Sequence, residues 1–148
     1  MGTAAQIRSY RVRAGKSARE VARHLGLNDA WYHDIEHHDD ELASTLTLFQ
    51  ALELASVLGV RLRDLLSEDV FPEKSISLAE LPSRINAHMA SKGISIEQFE
   101  EEVGWDLHGV MESPIKAAAE SPLIFLQALA EHLRVSWLAL VPDEPQAV

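Results

Sequence analysis

"GKSAREVARHLGL", residues 15–27, is the segment that decides the fold. Ser17 and Glu20 stand three positions apart before an apolar run, which is the capping-box pattern of a helix N-terminus. Gly26 then follows the apolar run, as a glycine that ends a helix does. The segment therefore predicts a short amphipathic helix, and its inward-facing positions are Val21, Ala22 and Leu25.

The same pattern recurs 78 positions later in "GISIEQFEEEVGW", residues 93–105, where Ser95 and Gln98 repeat the capping box. Further along, "LELASVLGVRLRDLL" (52–66) matches "QALAEHLRVSWLALV" (127–141) at a shift of 75 positions. Two matching blocks in the same order predict a tandem duplication. The difference between the shifts means that the second copy has lost three residues between its blocks.

The duplication predicts an all-α chain of two helical bundles in tandem. Glycine (7) and proline (6) are sparse, and long Ala/Leu/Glu runs favour helices. The segment "SEDVFPEKSISLAELP" has two prolines, mixed charge and no periodicity, and it separates the two bundles. The predicted organisation is a domain at 1–66, a linker at 67–80 and a second helical domain at 81–148.

Several classes of protein are excluded or disfavoured by composition. The chain has no cysteine, so disulfides, thiolate catalysis and cysteine-ligated metals are excluded. No apolar run reaches the roughly 18 residues of a membrane helix, and no signal-peptide segment begins the sequence. Neither a glycine-rich phosphate loop nor a nucleophile elbow occurs. We therefore expect a cytoplasmic protein that is not an enzyme and has no cofactor.

Residues 5–66 resemble the Cro/C1-type (XRE-family) helix-turn-helix domains of phage repressors and many bacterial regulators. The resemblance is carried by the "LGL" turn at 25–27, by Ile35-Glu36 and by "ELASVLGVRLRDLL" at 53–66. Together with the duplication, it implies two lambda-repressor-like helix-turn-helix bundles in tandem, the second of them degenerate in sequence. It also implies that Arg11 of the first helix forms a structural salt bridge with Glu36.

The resemblance further implies a DNA-binding surface on the first copy. In this family the second helix of the motif enters the major groove by its N-terminal end, and the preceding helix lies on the phosphates. Residues 1–27 carry six basic residues and one acid. The residues that would read bases are Asn28, Asp29, Ala30 and His33, and those that would contact phosphate are Arg13, Lys16, Ser17, Arg19 and Arg23.

Departures from the family pattern leave the function open between two possibilities. Ala18 stands where many relatives have glutamine, and residues 28–56 hold seven acids and no lysine or arginine. The first possibility is a transcriptional regulator that binds double-stranded DNA as a homodimer. Its second copy would then form the dimer contact or bind a partner protein. The second is a protein-interaction module that has kept the fold and lost DNA binding. Apolar candidates for such pairing, or alternatively for core packing, are Phe99, Trp105, Phe125 and Trp137.

The second copy departs further, because its motif region is acidic at Glu97, at 100–102 and at Asp106. We expect this half not to contact DNA, since carboxylates repel phosphate.

A metal site is a weaker interpretation of the histidine cluster after the motif. His33 and His37 lie four positions apart, and Asp40 follows three positions later. Two imidazoles and a carboxylate suit zinc or nickel. The alternative is a solvated helix end and loop, and the expectation from sequence is that no metal is bound.

Overall fold

The computed structural model describes residues 2–66, residues 77–135 and Leu140, and every regular element in these ranges is helical. Most of the predicted linker, residues 67–76, lies outside the described residues, as does Trp137. The end of the predicted linker forms a short 3-10 helix, Leu78–Glu80, with Leu78 buried. None of the described helices is long and apolar enough to cross a membrane.

The N-terminal half, residues 2–66, contains five α-helices and a closing 3-10 helix. Their beginnings follow local signals: Ser17 and Glu20 form a complete capping box, and so do Thr47 and Gln50. The elements are α1 Thr3–Arg13, α2 Ala18–Leu25, α3 Asp29–Ile35, α4 Glu41–Thr45, α5 Leu48–Leu58 and the 3-10 helix Leu62–Leu65.

The C-terminal half, residues 77–135 with Leu140, contains five further α-helices. Ser95 and Gln98 form the capping box that the repeat predicted. The elements are α6 Leu81–Lys92, α7 Ile96–Val103, α8 His108–Glu112, α9 Pro114–Glu120 and α10 Leu123–Leu133.

Helices of comparable length follow one another in the same order in both halves. Gly26 and Gly104 both end their helices in the left-handed conformation, at φ +72° and +84°. Gly59 ends α5 in the same way, and 75 positions later Arg134 ends α10 at φ +57°. Within the described residues Arg134 is the sole non-glycine residue with positive φ. A side chain there costs free energy that a glycine would not.

One hydrophobic core runs through both halves of the described chain. Leu48, Ala51 and Leu54 of α5 and Leu123 and Leu129 of α10 belong to the same buried cluster. Helix α4 packs against α10, and α5 packs against α9. The sequence predicted two bundles, and the structure joins them through a shared core. Helices of each half therefore help to bury the apolar faces of α5 and α10.

Part of the acidic loop after α3, residues 37–41, has a structural role at the N-terminus of α1. The Ala4 backbone N–H donates to the Asp39 carboxylate over 3.0 Å. A carboxylate at a helix N-terminus satisfies a free N–H and interacts favourably with the helix dipole. The acid at position 39 therefore stabilises α1.

Candidate nucleic-acid interface

The helix-turn-helix arrangement is built by α2 and α3 and is attached to α1 by a buried ion pair. Arg11 Nε donates to Glu36 Oε2 over 2.6 Å, and Arg11 Nη2 donates to Glu36 Oε1 over 3.0 Å. Glu36 is 3% exposed, and its hydrogen bond raises the pKa of Arg11. The predicted salt bridge is thus present, and it fixes the C-terminal end of α3 to α1.

Arg11 also closes the turn in front of α2, because its Nη1 donates to the Lys16 carbonyl over 3.0 Å. Tyr32 is fully buried, and this burial raises the pKa of its phenol, with the Glu36 carboxylate adding to the effect. Arg11 thus connects α1 to the turn before α2 and to the C-terminal end of α3.

The N-terminus of α2 is exposed, but its side chains are partly committed to capping. The Glu20 N–H donates to Ser17 Oγ, and the Ser17 N–H donates to Glu20 Oε1, both over 3.1 Å. The hydrogen bond from the Ser17 backbone N–H, with the Ser17 hydroxyl adding to it, lowers the pKa of the Glu20 carboxyl. Ser17 therefore orders the helix start with its hydroxyl, while the first turn of α2 still presents its helix dipole to an anion.

The N-terminus of α3 carries all four predicted reading residues on an exposed surface: Asn28, Asp29, Ala30 and His33. The Trp31 N–H donates to Asn28 Oδ1 over 2.8 Å, so Asn28 is the N-cap of the helix. Asp29 lies 3.5 Å from Arg19 Nε, and both side chains are more than 60% exposed. This exposed ion pair is weak, so a phosphate can compete for Arg19.

A cleft of about 360 Å³ lies between α1, α2 and α3, and Arg19, Asp29 and His33 all line it. Arg8, which the sequence did not single out as a site residue, lines it as well, and so does His37, which the sequence offered only as a metal-ligand candidate. Arg8 Nη1 donates to the Glu36 carbonyl over 3.2 Å. The signal for Arg8 was its position three residues before Arg11, which places both guanidinium groups on one face of α1.

The other predicted phosphate contacts on the same half do not line this cleft: Arg13, Lys16, Ser17 and Arg23. The guanidinium of Arg13 lies 5.0 Å from the centre of the Tyr10 ring, which gives it a cation–π contact. Arg23 is exposed on α2. The predicted set is therefore divided between a cleft group and a peripheral group on the same half.

The histidine cluster is arranged as a stack. The rings of His33 and His37 lie 3.9 Å apart and nearly parallel, and His37 Nδ1 is 2.7 Å from the His33 carbonyl oxygen. Among the described residues, Asp40 does not join them in a group of three ligand atoms. His33 and His37 are four positions apart, about one helical turn, so their rings stack. Helix α3 ends at Ile35, and the chain therefore carries Asp40 away from them.

A different trio brings its ligand atoms together in the C-terminal half, namely Glu100, Asp106 and His108. His108 Nδ1 lies 3.1 Å from a carboxylate oxygen of each acid, and the Asp106 hydrogen bond is the largest influence raising its pKa. The Leu107 N–H donates to Glu100 and the His108 N–H donates to Asp106. These bonds close the turn between α7 and α8, so the trio has a structural role that needs no ion.

The aromatic candidates for pairing lie mostly in the interior. Phe99 and Phe125 are almost fully buried, and Trp105 contacts Phe125 edge-on at 5.4 Å between ring centres. They contribute to the core. Trp31, in contrast, is 57% exposed beside α4, next to Asp34 and Glu41.

The family comparison concerns this same part of the chain. Residues 4–68 match the family model of a helix-turn-helix domain. No curated protein and no solved structure matches the chain significantly. The helix-turn-helix match includes α2 and α3 with the cleft residues described above, and the C-terminal half lies beyond it.

Proposed function

We propose that this protein is a DNA-binding transcriptional regulator whose N-terminal helix-turn-helix domain is of the Cro/C1 type. The observation that carries the proposal is that the first turns of α2 and α3 are both exposed, with Arg19 of α2 only 3.5 Å from Asp29 of α3. Helix N-termini and arginines bind phosphate, and the start of the second motif helix reads base edges. A regulator of this kind works in the cytoplasm, and the proposal assigns no catalysis to it.

Within this proposal, phosphate contacts come from Arg13, Lys16, Ser17, Arg19 and Arg23. Base contacts come from Asn28, Asp29, Ala30 and His33. An aspartate at a reading position accepts a hydrogen bond from cytosine N4, so Asp29 favours a cytosine in the site. A homodimer is the sequence-based prediction for the assembly of the protein.

The test is a salt titration of binding to a mixed-sequence duplex by fluorescence anisotropy, with Arg19→Glu beside the wild type. Loss of one phosphate contact lowers the salt slope by about one unit and weakens binding about tenfold at ~50 mM salt. Lys116→Glu is the matched control, because Lys116 is exposed on α9 and the variant has the same net charge. Absence of binding by micromolar wild-type protein at ~50 mM salt contradicts the proposal.

A second candidate function is a protein-interaction module on the same fold. It is supported by Trp31, which is 57% exposed beside the carboxylates of Asp34 and Glu41. An exposed indole with acids around it suits a basic segment of a partner protein. This alternative gains support if the DNA titration fails while the fold is intact.

A further inference from the structure

The two halves meet through a reciprocal pair of backbone hydrogen bonds. The Leu48 N–H donates to the Ser121 carbonyl, and the Leu123 N–H donates to the Leu46 carbonyl, both over 3.0 Å. Leu123 lies 75 positions after Leu48, and Ser121 lies 75 positions after Leu46. The second pair of matching sequence blocks has the same shift. Exchanging the halves therefore turns one hydrogen bond into the other.

Thr47 and Pro122, also 75 positions apart, face each other at the centre of this contact as an isolated antiparallel bridge. A residue that lies opposite its own counterpart marks a two-fold axis. Interfaces in which the same patch of both partners meets itself are those of two-fold dimers.

The packing of whole helices follows the same rule. Helix α4 packs on α10, and α9 packs on α5. Since α9 occupies the place of α4 in the helix order, and α10 that of α5, the two contacts are exchanged by the same two-fold operation. The N-terminal half thus uses α4 and α5 to contact the C-terminal half, and this surface is buried within one chain.

The charges of the two motif edges are opposite at equivalent positions. Glu97 and Glu101 lie 78 positions after Arg19 and Arg23, and all four side chains belong to exposed residues. Glu97 and Glu101 are one helical turn apart, so both carboxylates lie on one face of α7. The equivalent face of α2 carries Arg19 and Arg23. An edge of this kind repels DNA phosphates.

We infer that the chain is a single-chain counterpart of a two-fold helix-turn-helix dimer: it binds one DNA half-site as a monomer, and the acids of α7 keep its second motif edge off the duplex. The DNA-binding part of this inference rests on the function proposed above. The pairing part stands on the contacts between the halves. It replaces the homodimer predicted from sequence with an internal pair.

The pairing is tested with a double cysteine variant, Thr47→Cys with Pro122→Cys, in a chain that has no other cysteine. Directly opposed residues in a non-hydrogen-bonded antiparallel pair have Cα atoms about 4.5 Å apart, which a disulfide can span. After mild oxidation we expect an intrachain disulfide. The single variant Thr47→Cys is the control, and it can form only disulfides between chains.

A second readout of the pairing needs no substitution. Light scattering of the wild type at micromolar concentrations is expected to give the mass of one chain, 16.4 kDa. A doubled mass, or a double cysteine variant that is oxidised into linked dimers, overturns the internal pair.

The role of the acidic edge is tested by placing arginines at the positions equivalent to those of α2, in Glu97→Arg with Glu101→Arg. We expect the salt slope for a mixed-sequence duplex to steepen by nearly two units, since about two phosphate contacts are added. The control is Glu120→Arg with Glu131→Arg, which changes the net charge equally at exposed positions outside both motif edges. Equal slopes for the two variants overturn the role of the edge.

The two proposals fail in different ways. If wild-type protein does not bind DNA, the function proposed above fails, while the mass and the disulfide still decide the internal pair. If DNA binds with a Hill coefficient well above 1 and the mass is doubled, the function holds and the single-chain inference is overturned.

Discussion

At the scale of single residues, the Arg11–Glu36 pair is the contact whose loss we expect to cost most. Arg11→Met leaves the Glu36 carboxylate, 3% exposed, without its partner, and the free energy of unfolding should fall by about 3 kcal/mol. Arg11→Met with Glu36→Met should cost clearly less than the sum of the single variants, because no unpaired charge remains. Urea unfolding measures all three.

The exposed pair Arg19–Asp29 is the control for that experiment, because both side chains are more than 60% exposed. Asp29→Asn should change the free energy of unfolding by less than about 1 kcal/mol. A cost for Arg11→Met as small as that of the control would contradict the structural role of the buried pair.

Two histidines of the C-terminal half should titrate in opposite directions from the ordinary value of about 6.5. Burial lowers the pKa of His88, and Lys92 and His132 add to this while Glu102 opposes it. The Asp106 hydrogen bond, with the Glu100 charge, raises the pKa of His108. NMR titration should therefore place the His88 midpoint below that of His108.

The signs of the two contributions to stability follow from these shifts. The contribution of His88 is present above about pH 6.5 and is lost as the pH falls below it, because protonation is easier in the unfolded chain. That of His108 is present below about pH 6.5 and is lost as the pH rises through its raised folded-state pKa. Asp106→Asn should lower the His108 midpoint and leave that of His88 unchanged; the reverse order of midpoints in the wild type would contradict this account.

At the scale of elements, local signals predicted where α2 and α7 begin and end. Ser17 with Glu20 and Ser95 with Gln98 satisfy free N–H groups within three residues, so sequence alone locates them. The cap of α1 was not predictable in this way, because Asp39 is 35 positions from the Ala4 N–H that it accepts. Nothing near Asp39 in the sequence therefore indicates that its carboxylate caps α1.

The left-handed residue at the end of α10 gives a prediction for an element. Arg134→Gly should raise the free energy of unfolding by about 1 kcal/mol, since φ +57° is costly for a side chain and not for glycine. The reciprocal variant Gly59→Arg, at φ +73°, should lower it by a similar amount. Thermal unfolding measures both, and a destabilising Arg134→Gly would mean that the arginine side chain makes a contact worth more than the strain.

At the scale of the whole molecule, the repeat predicted two bundles but not how they meet. The apolar stripe of α5, including Leu48 and Leu54, was evident from its periodicity, and it is buried. Periodicity shows that a face is covered and does not show by what. Helix α5 packs against α2 and the 3-10 helix of its own half and also against α9 of the other half. The last contact, like the reciprocal bonds around Thr47 and Pro122, depends on an approach in space that a single sequence does not encode locally.

A shared core predicts that the two halves unfold together. Urea unfolding followed by far-UV circular dichroism and by tryptophan fluorescence should give one coincident transition, because separating the halves exposes Leu48 and Leu123 to water. Two separated transitions, with one half remaining folded, would contradict the shared core and favour independent domains.

The central claim is that DNA is bound by the N-terminal motif edge and not by its C-terminal counterpart. The most direct measurement is an NMR titration of ¹⁵N-labelled protein with a mixed-sequence duplex at ~50 mM salt. We predict that the largest shifts fall on the amides of residues 16–19 and 28–33, while residues 95–101 and 106–112 remain unshifted. Shifts concentrated on α7 and α8, or no shifts at all, would contradict the account.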